Sequence, residues 1–494
     1  MDIERIDDLA TAKQVARLAI QENARLTKQL AELTARIAEL EGKAVPEQLA
    51  IQLADLQEQL GNANKRLFGD SSEKRSKEKP AAEKKPQTGH GPTEQHALVE
   101  VESFLELDED QRRCPCCDEE LKAIPGVVEE STYITVVPAK YIRVKQQRQK
   151  YRCKNECPIV TAPNVAKVRA GGRYSVEFAG HVATGKYLDH LPLERQARMM
   201  KRAGLVVTSQ TLWDQVEALA EYLQPTYEAL RDYVLGAEVV GVDETRWPLL
   251  TKKGKGQKST KKWWAWGVTS EDACWYRIHE ERSTQAAAEV LEGFEGTVIA
   301  DGYKAYQTLA NREGPKLAIA NCWAHVRRKF VESEEHYPEP CGEALDLIGK
   351  LFEIDHEIAS DDFEERKATR QLRSRPIVDK LFEWARHQRG LPKGGLRRAI
   401  EYMLKLEPGL RAFLDDPRIK LDNNGTERAL RGLVLGRKNH YGSKSKRGTE
   451  VAALLYSLLE TAKLCDVNPE EYLIAAVKRA MDEPGAVLLP QDYA

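Results

Sequence analysis

The first segment of the chain has apolar residues at alternating intervals of four and three. They are Leu26, Leu30, Leu33, Ile37 and Leu40. This spacing is typical of a coiled-coil seam. Asn23 extends the seam, and a buried Asn at such a position fixes the register and favours a dimer. The pattern predicts a dimerisation helix that ends before Pro46. Packing of the same seam against its own chain is the alternative.

The polarity pattern changes twice in the next hundred residues. Residues 69–96 are charged and rich in Pro, Ser and Lys, with almost nothing to bury, which predicts a flexible linker. Residues 176–223 show helical periodicity: one helix-like stretch ends at Gly204, and the next begins with Thr208 in a helix-capping position. Two helices joined by a short turn form either a helix-turn-helix or an ordinary helical hairpin. In the first case Ser209, Gln210 and Thr211 would enter a major groove of DNA.

From residue 238 onwards, short apolar runs and alternating patterns indicate strands. The segments EVVGVDETRWPLL, KKWWAWGVTS and ACWYRIHEE read as three antiparallel strands, followed by a helix at 283–293. GTVIADGYKAY and KLAIANCWAHVRRKF supply a fourth and a fifth strand, the latter leading into another helix. This order of elements is that of the ribonuclease H fold. The stretch from EALDLIGKLFEIDHEI to LEPGLRAFLDD reads as inserted helices.

The predicted fold class is therefore a multidomain α+β protein with a ribonuclease H-like α/β core. At 494 residues the chain is long enough for several domains. The expected divisions are coiled-coil helices (1–68), linker (69–100), zinc ribbon (101–170), helix-turn-helix-like DNA-binding helices (171–233), first part of the core (234–333), helical insertion (334–414), second part of the core with a Glu-bearing helix (415–465) and C-terminal helical tail (466–494).

Five of the nine cysteines fall between Cys114 and Cys157. One pair is spaced by two residues and another by three, with a predicted hairpin between the pairs, so four thiolates can converge on one zinc ion. The predicted ligands are Cys114, Cys117, Cys153 and Cys157. Four thiolates leave no open position for a reacting water, so this zinc would be structural. A set of reduced structural cysteines is the alternative.

Charge is unevenly distributed in a chain whose formal net charge is only −2. Residues 140–173 contain ten Lys and Arg against one acid, and residues 428–447 contain seven against none. Such one-signed segments favour phosphate binding over simple solvation. No apolar run is long enough to cross a membrane and the acidic N-terminus is not a signal peptide, so a cytoplasmic protein is expected.

Three acids occupy notable places in the predicted core. Asp243 lies within the first strand, Asp301 ends the fourth, and Glu427 precedes a basic, helix-like stretch. Adjacent central strands would bring the two aspartates together, and a later helix could add Glu427. Carboxylates of this kind suit Mg²⁺ or Mn²⁺, and two such ions can activate an attacking oxygen and stabilise a leaving one in phosphodiester displacement.

Two alternatives concern neighbouring residues. Asn424 followed by Glu427 has the form of a capping box, in which the Glu side chain would bind the amide at the start of its own helix. Glu244 adjoins Asp243 and competes with it as a ligand. Alternation along a strand should point Glu244 to the opposite face of the sheet.

A series of motifs in one order resembles the transposases of the insertion sequence 66 family. They are CPCC, KYLDHLPLERQ, VDETRWP, ADGYKAY, CWAHVRRKF, LDNNGTERALR, GRKN and YSLLETAKL. The resemblance begins near RLFGDSSEK and extends almost to the C-terminus. It implies a DDE transposase in which Asp243, Asp301 and Glu427 are the three catalytic acids, with two Mg²⁺ or Mn²⁺ ions per active site. His325, within CWAH, matches a family histidine and is either near the active site or structural.

The resemblance implies binding of the ends of an insertion sequence, metal-dependent strand cleavage and transfer of the freed 3′-hydroxyl to target DNA. Expected DNA contacts are Arg428, Arg431, Arg437 and Lys438, Arg327, Arg328 and Lys329, and the helix-turn-helix residues named above. Expected partners are the element ends, target DNA, further copies of the chain through the coiled coil, and accessory proteins encoded in the same element. The alternatives are an inactive DNA-binding regulator and a ribonuclease H-like nuclease that never joins strands.

Overall fold

The computed structural model describes residues 140–152, 159–252, 258–358, 362–388 and 394–493. Before residue 140 it describes only Arg25, Lys28, Glu32, Val101, 104–107, 112–113, 116–124, Ser131 and Ile134. The described residues from Tyr141 onwards belong to one compact unit, and Arg75–Lys140 forms a second unit. Within the described residues no helix is long and apolar enough to cross a membrane.

Three predictions fall wholly or largely outside the described residues, and the first is the flexible linker, since none of residues 69–100 is described. Of the predicted coiled coil, Arg25, Lys28 and Glu32 are described; each is helical, and Lys28 Nζ lies 4.0 Å from Glu32 Oε1. Of the predicted zinc ligands, Cys117 is described and is exposed, while Cys114, Cys153 and Cys157 lie outside the described residues. The coiled coil and the zinc ribbon therefore stay predictions from sequence.

Between Tyr141 and the central sheet, the described residues form four helices. Thr208 caps the third by accepting a hydrogen bond from Thr211 N, which confirms the predicted helix start. Gly204, at φ +85°, supplies the left-handed residue that ends the second helix. The elements of this region are β1 (Lys150–Tyr151), β2 (Val160–Thr161), α1 (Val176–Tyr187), α2 (Leu193–Arg202), α3 (Ser209–Tyr222) and α4 (Gln224–Leu235).

The five-stranded sheet follows in the predicted order of strands and helices. Its elements are β3 (Val239–Lys252), β4 (Lys258–Thr269), β5 (Cys274–His279), α5 (Thr284–Val290), β6 (Gly296–Ala300), α6 (Lys304–Glu313), β7 (Leu317–Asn321) and α7 (Trp323–Glu334). The spatial order is β5-β4-β3-β6-β7. β4 is antiparallel to both β3 and β5, whereas β6 runs parallel to both β3 and β7.

The inserted segment between the core halves is helical, as predicted. It comprises α8 (Pro338–Glu357), α9 (Phe363–Thr369), a π-helical turn (Arg370–Ser374), α10 (Arg375–His387), α11 (Gly395–Lys405) and α12 (Glu407–Asp415). Its core includes the buried side chains of Phe382 and Met403 and is shared with Trp323 and Phe330 of α7. The insertion is thus packed directly onto the helix that carries CWAH.

Four helices complete the chain: α13 (Asn424–His440), α14 (Lys446–Leu464), α15 (Pro469–Asp482) and α16 (Pro490–Tyr493). α13 packs on β3 and β4, and the almost wholly buried α14 packs on β5. α15 contacts α1, α3 and α14. The C-terminal segment is therefore joined to the hydrophobic core of the sheet.

Candidate active site

The sheet register brings Asp243 and Asp301 side by side. β3 and β6 are parallel, with Val239 opposite Thr297 and Gly241 opposite Ile299. Continuing this register by two residues places Asp243 opposite Asp301, which directly follows β6. Neighbouring strands are about 4.8 Å apart. The two aspartates, which the sequence placed on adjacent strands, are therefore direct neighbours across the sheet.

Backbone amides orient both aspartates. Asp243 Oδ1 accepts a hydrogen bond from Glu244 N at 2.8 Å, and Asp301 Oδ1 accepts one from Tyr303 N at 2.8 Å. Asn321 Nδ2 donates to the Asp301 carbonyl oxygen at 3.2 Å. Each of these carboxylates therefore has one oxygen fixed by the main chain, which limits its rotation.

The first turn of α13 is fastened to β3 beside these acids. Asn423 Nδ2 donates to Val242 O at 2.9 Å, and the hydroxyls of Thr426 and Thr269 are 2.6 Å apart. Gly241 allows this approach, since a Cβ there would lie 2.2 Å from Thr426 Oγ1 and 2.4 Å from Asn423 Oδ1. Asp243 and Gly241 share this face by strand alternation, so α13 begins where Asp243 points.

Glu427 faces α7 and not the start of its own helix. Asn423 is the N-cap and makes no side-chain capping hydrogen bond, and Asn424 is already helical. The capping-box alternative is therefore wrong. Instead, Glu427 Oε1 lies 3.6 Å from His325 Nε2, and Glu427 Oε2 lies 3.8 Å from Arg328 Nη2. His325 and Arg328, one turn apart on α7, orient the third acid.

The three acids act on one another electrostatically. The pKa of Asp243 is raised to about 7, first by burial and then by the negative charge of Glu244, with smaller contributions from Asp301 and Glu427; the hydrogen bond from Glu244 N opposes the rise. Such mutual repulsion favours a cation among the carboxylates. However, among the residues described here, no three His, Cys, Asp or Glu side chains are close enough together to enclose a metal ion.

The donor set fits a hard divalent cation in its chemistry. All three side chains offer carboxylate oxygens, which suit Mg²⁺ or Mn²⁺. Asp243 presents its carboxylate from within β3 and Asp301 from the end of β6, while Glu427 is engaged by His325 and Arg328. The carboxylates present therefore fit such an ion in their chemistry.

Asp243→Asn is expected to stabilise the protein without divalent metal at about pH 8. The folded state holds the Asp243 proton up to about pH 7, whereas the unfolded state releases it near pH 4, so the wild type loses stability as pH rises between these values. Asparagine cannot ionise and avoids this loss, which amounts to a few kcal/mol at about 1.4 kcal/mol per pKa unit.

Thermal unfolding in a metal chelator checks this prediction. The rise in Tm should be larger at about pH 8 than at about pH 5, because only part of the loss has developed at the lower pH. Glu221→Gln, at an exposed carboxylate of α3, serves as the control and should show no such pH dependence. An equal rise at both pH values would show that the Asp243 carboxylate is not the group that titrates.

Glu244 points to the opposite face of the sheet, as alternation predicts. Its carboxylate accepts hydrogen bonds from Arg282 Nε at 2.5 Å and from the Tyr306 hydroxyl at 2.6 Å, and its side chain is 1% exposed. The Arg282 guanidinium also lies 4.0 Å from the centre of the Tyr303 ring. Glu244 therefore joins β3 to the residues that follow Asp301, and it is not free to replace Asp243 as a ligand.

The insertion contributes a residue that sequence reasoning missed. Tyr402 of α11 accepts a hydrogen bond from Gly302 N at 3.1 Å, directly after Asp301. A Cβ at Gly302 would lie 2.7 Å from the Tyr402 ring. Burial raises the pKa of Tyr402 to about 12, helped by the charge of Asp301. In the sequence, Gly302 of ADGYKAY could have indicated a close contact at this point, but its partner Tyr402 lies about one hundred residues further along the chain.

The insertion also anchors the segment that leads into α13. Arg370 is 2% exposed, and its guanidinium lies 2.6 Å from Asp355 Oδ1. The same guanidinium donates to the carbonyl oxygens of Phe413, Pro417 and Ile419 at 3.0 to 3.2 Å. These carbonyls precede Glu427 in the chain, so the position of the Glu-bearing helix depends on the insertion.

The predicted DNA-binding residues occupy different environments. Arg428, Arg431 and Lys438 are exposed on α13. Arg437 is partly buried and donates to the Thr245 hydroxyl and to the carbonyl of Arg246. Arg437 thus links α13 to β3 and is less available to DNA than the three exposed cations.

On α7 the basic residues are half-buried. Lys329 Nζ is 3.1 Å from Glu332 Oε2, and Arg328 is beside Glu427 as described above. Arg327 is also half-buried. Arg328 and Lys329 contact acidic side chains of this chain, so these residues are more suited to orienting Glu427 and its surroundings than to a broad contact with DNA.

The two helices α2 and α3 form the predicted pair, and the buried residues of α3 lie from Leu212 onwards. Ser209 Oγ donates to Glu194 Oε1 at 2.5 Å, the Thr211 hydroxyl is 3.0 Å from that of Thr208, and Gln210 Nε2 donates to Asp214 Oδ1 at 2.9 Å. Each side chain proposed to read bases already has a partner within the chain.

Comparison with known proteins shows the family of this chain. The model of the family "Transposase IS66 family" matches residues 171–451, from α1 through the start of α14. The uncharacterized protein y4jD of Sinorhizobium fredii (strain NBRC 101917 / NGR234) is 33% identical over 393 residues, covering 76% of this chain and 75% of that protein. From the same organism, y4qI is 30% identical over 490 residues, covering 95% and 89%, and y4hP is 28% identical over 396 residues, covering 75% and 71%.

The matched region contains all three acids, both faces of the sheet and the whole insertion. A protein with this extent of match is a transposase by class. The chain belongs to the IS66 family of transposases.

Proposed function

We propose that this transposase binds the ends of its insertion sequence as duplex DNA, cleaves them with a divalent metal and joins the freed 3′-hydroxyl to target DNA. The observation that carries the proposal is that Asp243 and Asp301 are neighbours on adjacent parallel strands. The first turn of α13, which bears Glu427, is hydrogen-bonded to β3 beside them. This arrangement supports a ribonuclease H-like DDE core.

The side chains have distinct tasks in this mechanism. Asp243, Asp301 and Glu427 would hold Mg²⁺ or Mn²⁺, which when bound supplies activation of an attacking oxygen and stabilisation of a leaving one. Glu244 N and Tyr303 N keep the two aspartates oriented. His325 and Arg328 keep Glu427 directed towards α7.

Substrate binding follows from charge. Arg428, Arg431 and Lys438 lie on the exposed side of the helix that begins at the site, with spacings of three and seven residues. Side chains at these spacings share one helix face, so they form a line of positive charge leading away from Glu427. We propose that these three residues bind the DNA phosphates next to the scissile bond and that Arg437 has a mainly structural role.

Strand cleavage and strand transfer in one assay test the proposal. Labelled duplexes carrying the ends that flank the gene are incubated with the full chain, a target plasmid and Mn²⁺ or Mg²⁺. Nicked ends together with joined products are expected, and a chelator should abolish both. Nicking without joining, with accessory proteins of the element added, would instead indicate a nuclease. Binding without nicking under those conditions would indicate an inactive regulator.

A further inference from the structure

The exposed side of α2 has an unusual concentration of positive charge. Arg195, Arg198 and Arg202 are at positions i, i+3 and i+7, so they lie on one helix face, and all three are exposed. Lys201 is exposed at the edge of this face. The opposite face holds the buried side chains of Gln196 and Met200. We call the three arginines and Lys201 the α2 basic face.

The cations of the α2 basic face have no carboxylate partner within the described part of the chain. None of the four is within 4.0 Å of a described carboxylate oxygen. The one acid of the helix, Glu194, accepts the hydrogen bond from Ser209. Many other surface cations are paired: Lys478 with Glu177 at 2.6 Å, Arg397 with Glu401 at 2.7 Å and Arg373 with Glu357 at 2.7 Å.

This face is held rigidly by the rest of the protein. The Gln196 amide donates to the carbonyl oxygens of Val182 and Leu191 at 3.2 and 3.1 Å, although the side chain is 4% exposed. Gly185 of α1 allows this contact, because a Cβ there would lie 3.1 Å from Gln196 Nε2. A rigid helix with unpaired cations is prepared to bind an extended anion at little entropic cost.

We propose that α2, rather than α3, is the DNA-contacting helix of this pair, and that Arg195, Arg198 and Arg202 bind phosphates of duplex DNA without reading base sequence. The proposal rests on DNA being the substrate of the proposed function. The three arginines span about 10 Å along the helix, the axial length over which one DNA strand presents about three phosphates. The occupied side chains at the start of α3 leave little there for base recognition.

The test compares binding of the full chain to a labelled duplex across a series of salt concentrations, in chelator so that no cleavage occurs. The variant is Arg195→Gln/Arg198→Gln/Arg202→Gln. The matched control is Arg373→Gln/Arg397→Gln/Lys478→Gln, which removes the same charge from cations that already have carboxylate partners. Each variant is measured on an element-end duplex and on a scrambled duplex of the same length and composition.

The α2 variant should bind both duplexes more weakly by the same factor. The slope of log affinity against log salt should fall in magnitude by about 0.9 for each lost phosphate contact, or about 2 to 3 in total, while the control changes little. Arg198→Gln alone should lower the magnitude of this slope by about 0.9. The triple Arg-to-Lys variant, which keeps the charge, should keep the slope.

An unchanged slope in the α2 variant would overturn the proposal, and α2 would then face an acidic protein or solvent. A loss confined to the element-end duplex would also overturn it, because that result means base reading. An equal loss in the control would show only a general charge effect and would overturn it as well. Failure of the proposed function gives a different pattern: a wild type that binds DNA with the expected salt dependence but neither cleaves nor joins it.

Discussion

Glu427→Gln is expected to reduce strand cleavage more than about 100-fold while leaving binding of the element ends nearly unchanged. Loss of a group that only orients a metal ligand costs up to about 100-fold, so a larger loss identifies Glu427 as a ligand itself. Glutamine keeps the size of the side chain and an oxygen that accepts a hydrogen bond, but it removes the negative charge that a divalent ion requires.

The structure makes this substitution mild for the fold. Glu427 does not cap its helix, and its contacts with His325 and Arg328 are 3.6 and 3.8 Å long. Glu450→Gln, at an exposed carboxylate early in α14, is the control and should cleave like the wild type. Cleavage by Glu427→Gln within tenfold of the wild type would remove Glu427 from the catalytic set, leaving it as a partner of α7.

Gly241→Ala is expected to lose both stability and cleavage. The added methyl group would lie 2.2 Å from Thr426 Oγ1, 2.4 Å from Asn423 Oδ1 and 2.9 Å from Thr269 Oγ1, where the side chains are buried and hydrogen-bonded. Overpacking of this kind costs about 1 to 3 kcal/mol. The clash can be relieved if α13 moves away from β3, which would displace Glu427. A displacement of about 1 Å at a catalytic group can cost about 100-fold in rate.

Gly425→Ala is a closely matched control for this prediction. It is the same substitution, two residues from Glu427, but a Cβ there has no neighbour within 4 Å. It should be neutral or stabilising by up to about 1 kcal/mol, because alanine is a better helix former than glycine. Thermal unfolding and cleavage rate are measured for both variants. Similar behaviour of the two would show that α13 is not fastened to β3 at Gly241.

Together these contacts describe how the proposed site is assembled from distant parts of the chain. β3 and β6 set Asp243 and Asp301, α13 brings Glu427, and α7 supplies His325 and Arg328. The insertion secures two of these parts, through Tyr402 at Gly302 and through Arg370 at the segment before α13. The helical insertion is therefore a support of the site and not only a spacer between core halves.

Much of this architecture follows from local pattern. Alternating and continuous apolar runs of strand length predicted β3 to β7 in order, since a strand buries side chains with a period of two. Thr208 indicated the start of α3 because its hydroxyl can satisfy a helix amide. The place of Asp243 within a strand and of Asp301 at a strand end followed from the same pattern.

Interactions between distant residues were not readable in this way. The capping box at Asn424 and Glu427 is a valid local pattern, but His325 and Arg328 approach Glu427 from another helix. From the sequence, Arg437 was expected to contact DNA, whereas in the structure it donates a hydrogen bond to the Thr245 hydroxyl of β3. The helix pair had the expected spacing, yet its exposed arginines lie on α2, whereas the side chains at the start of α3 are hydrogen-bonded within the chain.

The sequence by itself determined the order of strands and helices, the positions of the three acids along the chain and the family to which the chain belongs. Only the tertiary structure decided which carboxylate meets which partner, which basic residues are exposed and how the insertion contacts the proposed site. The physical reason is that periodicity and capping depend on neighbours within a few residues, whereas ion pairs and burial depend on side chains brought together from far along the chain.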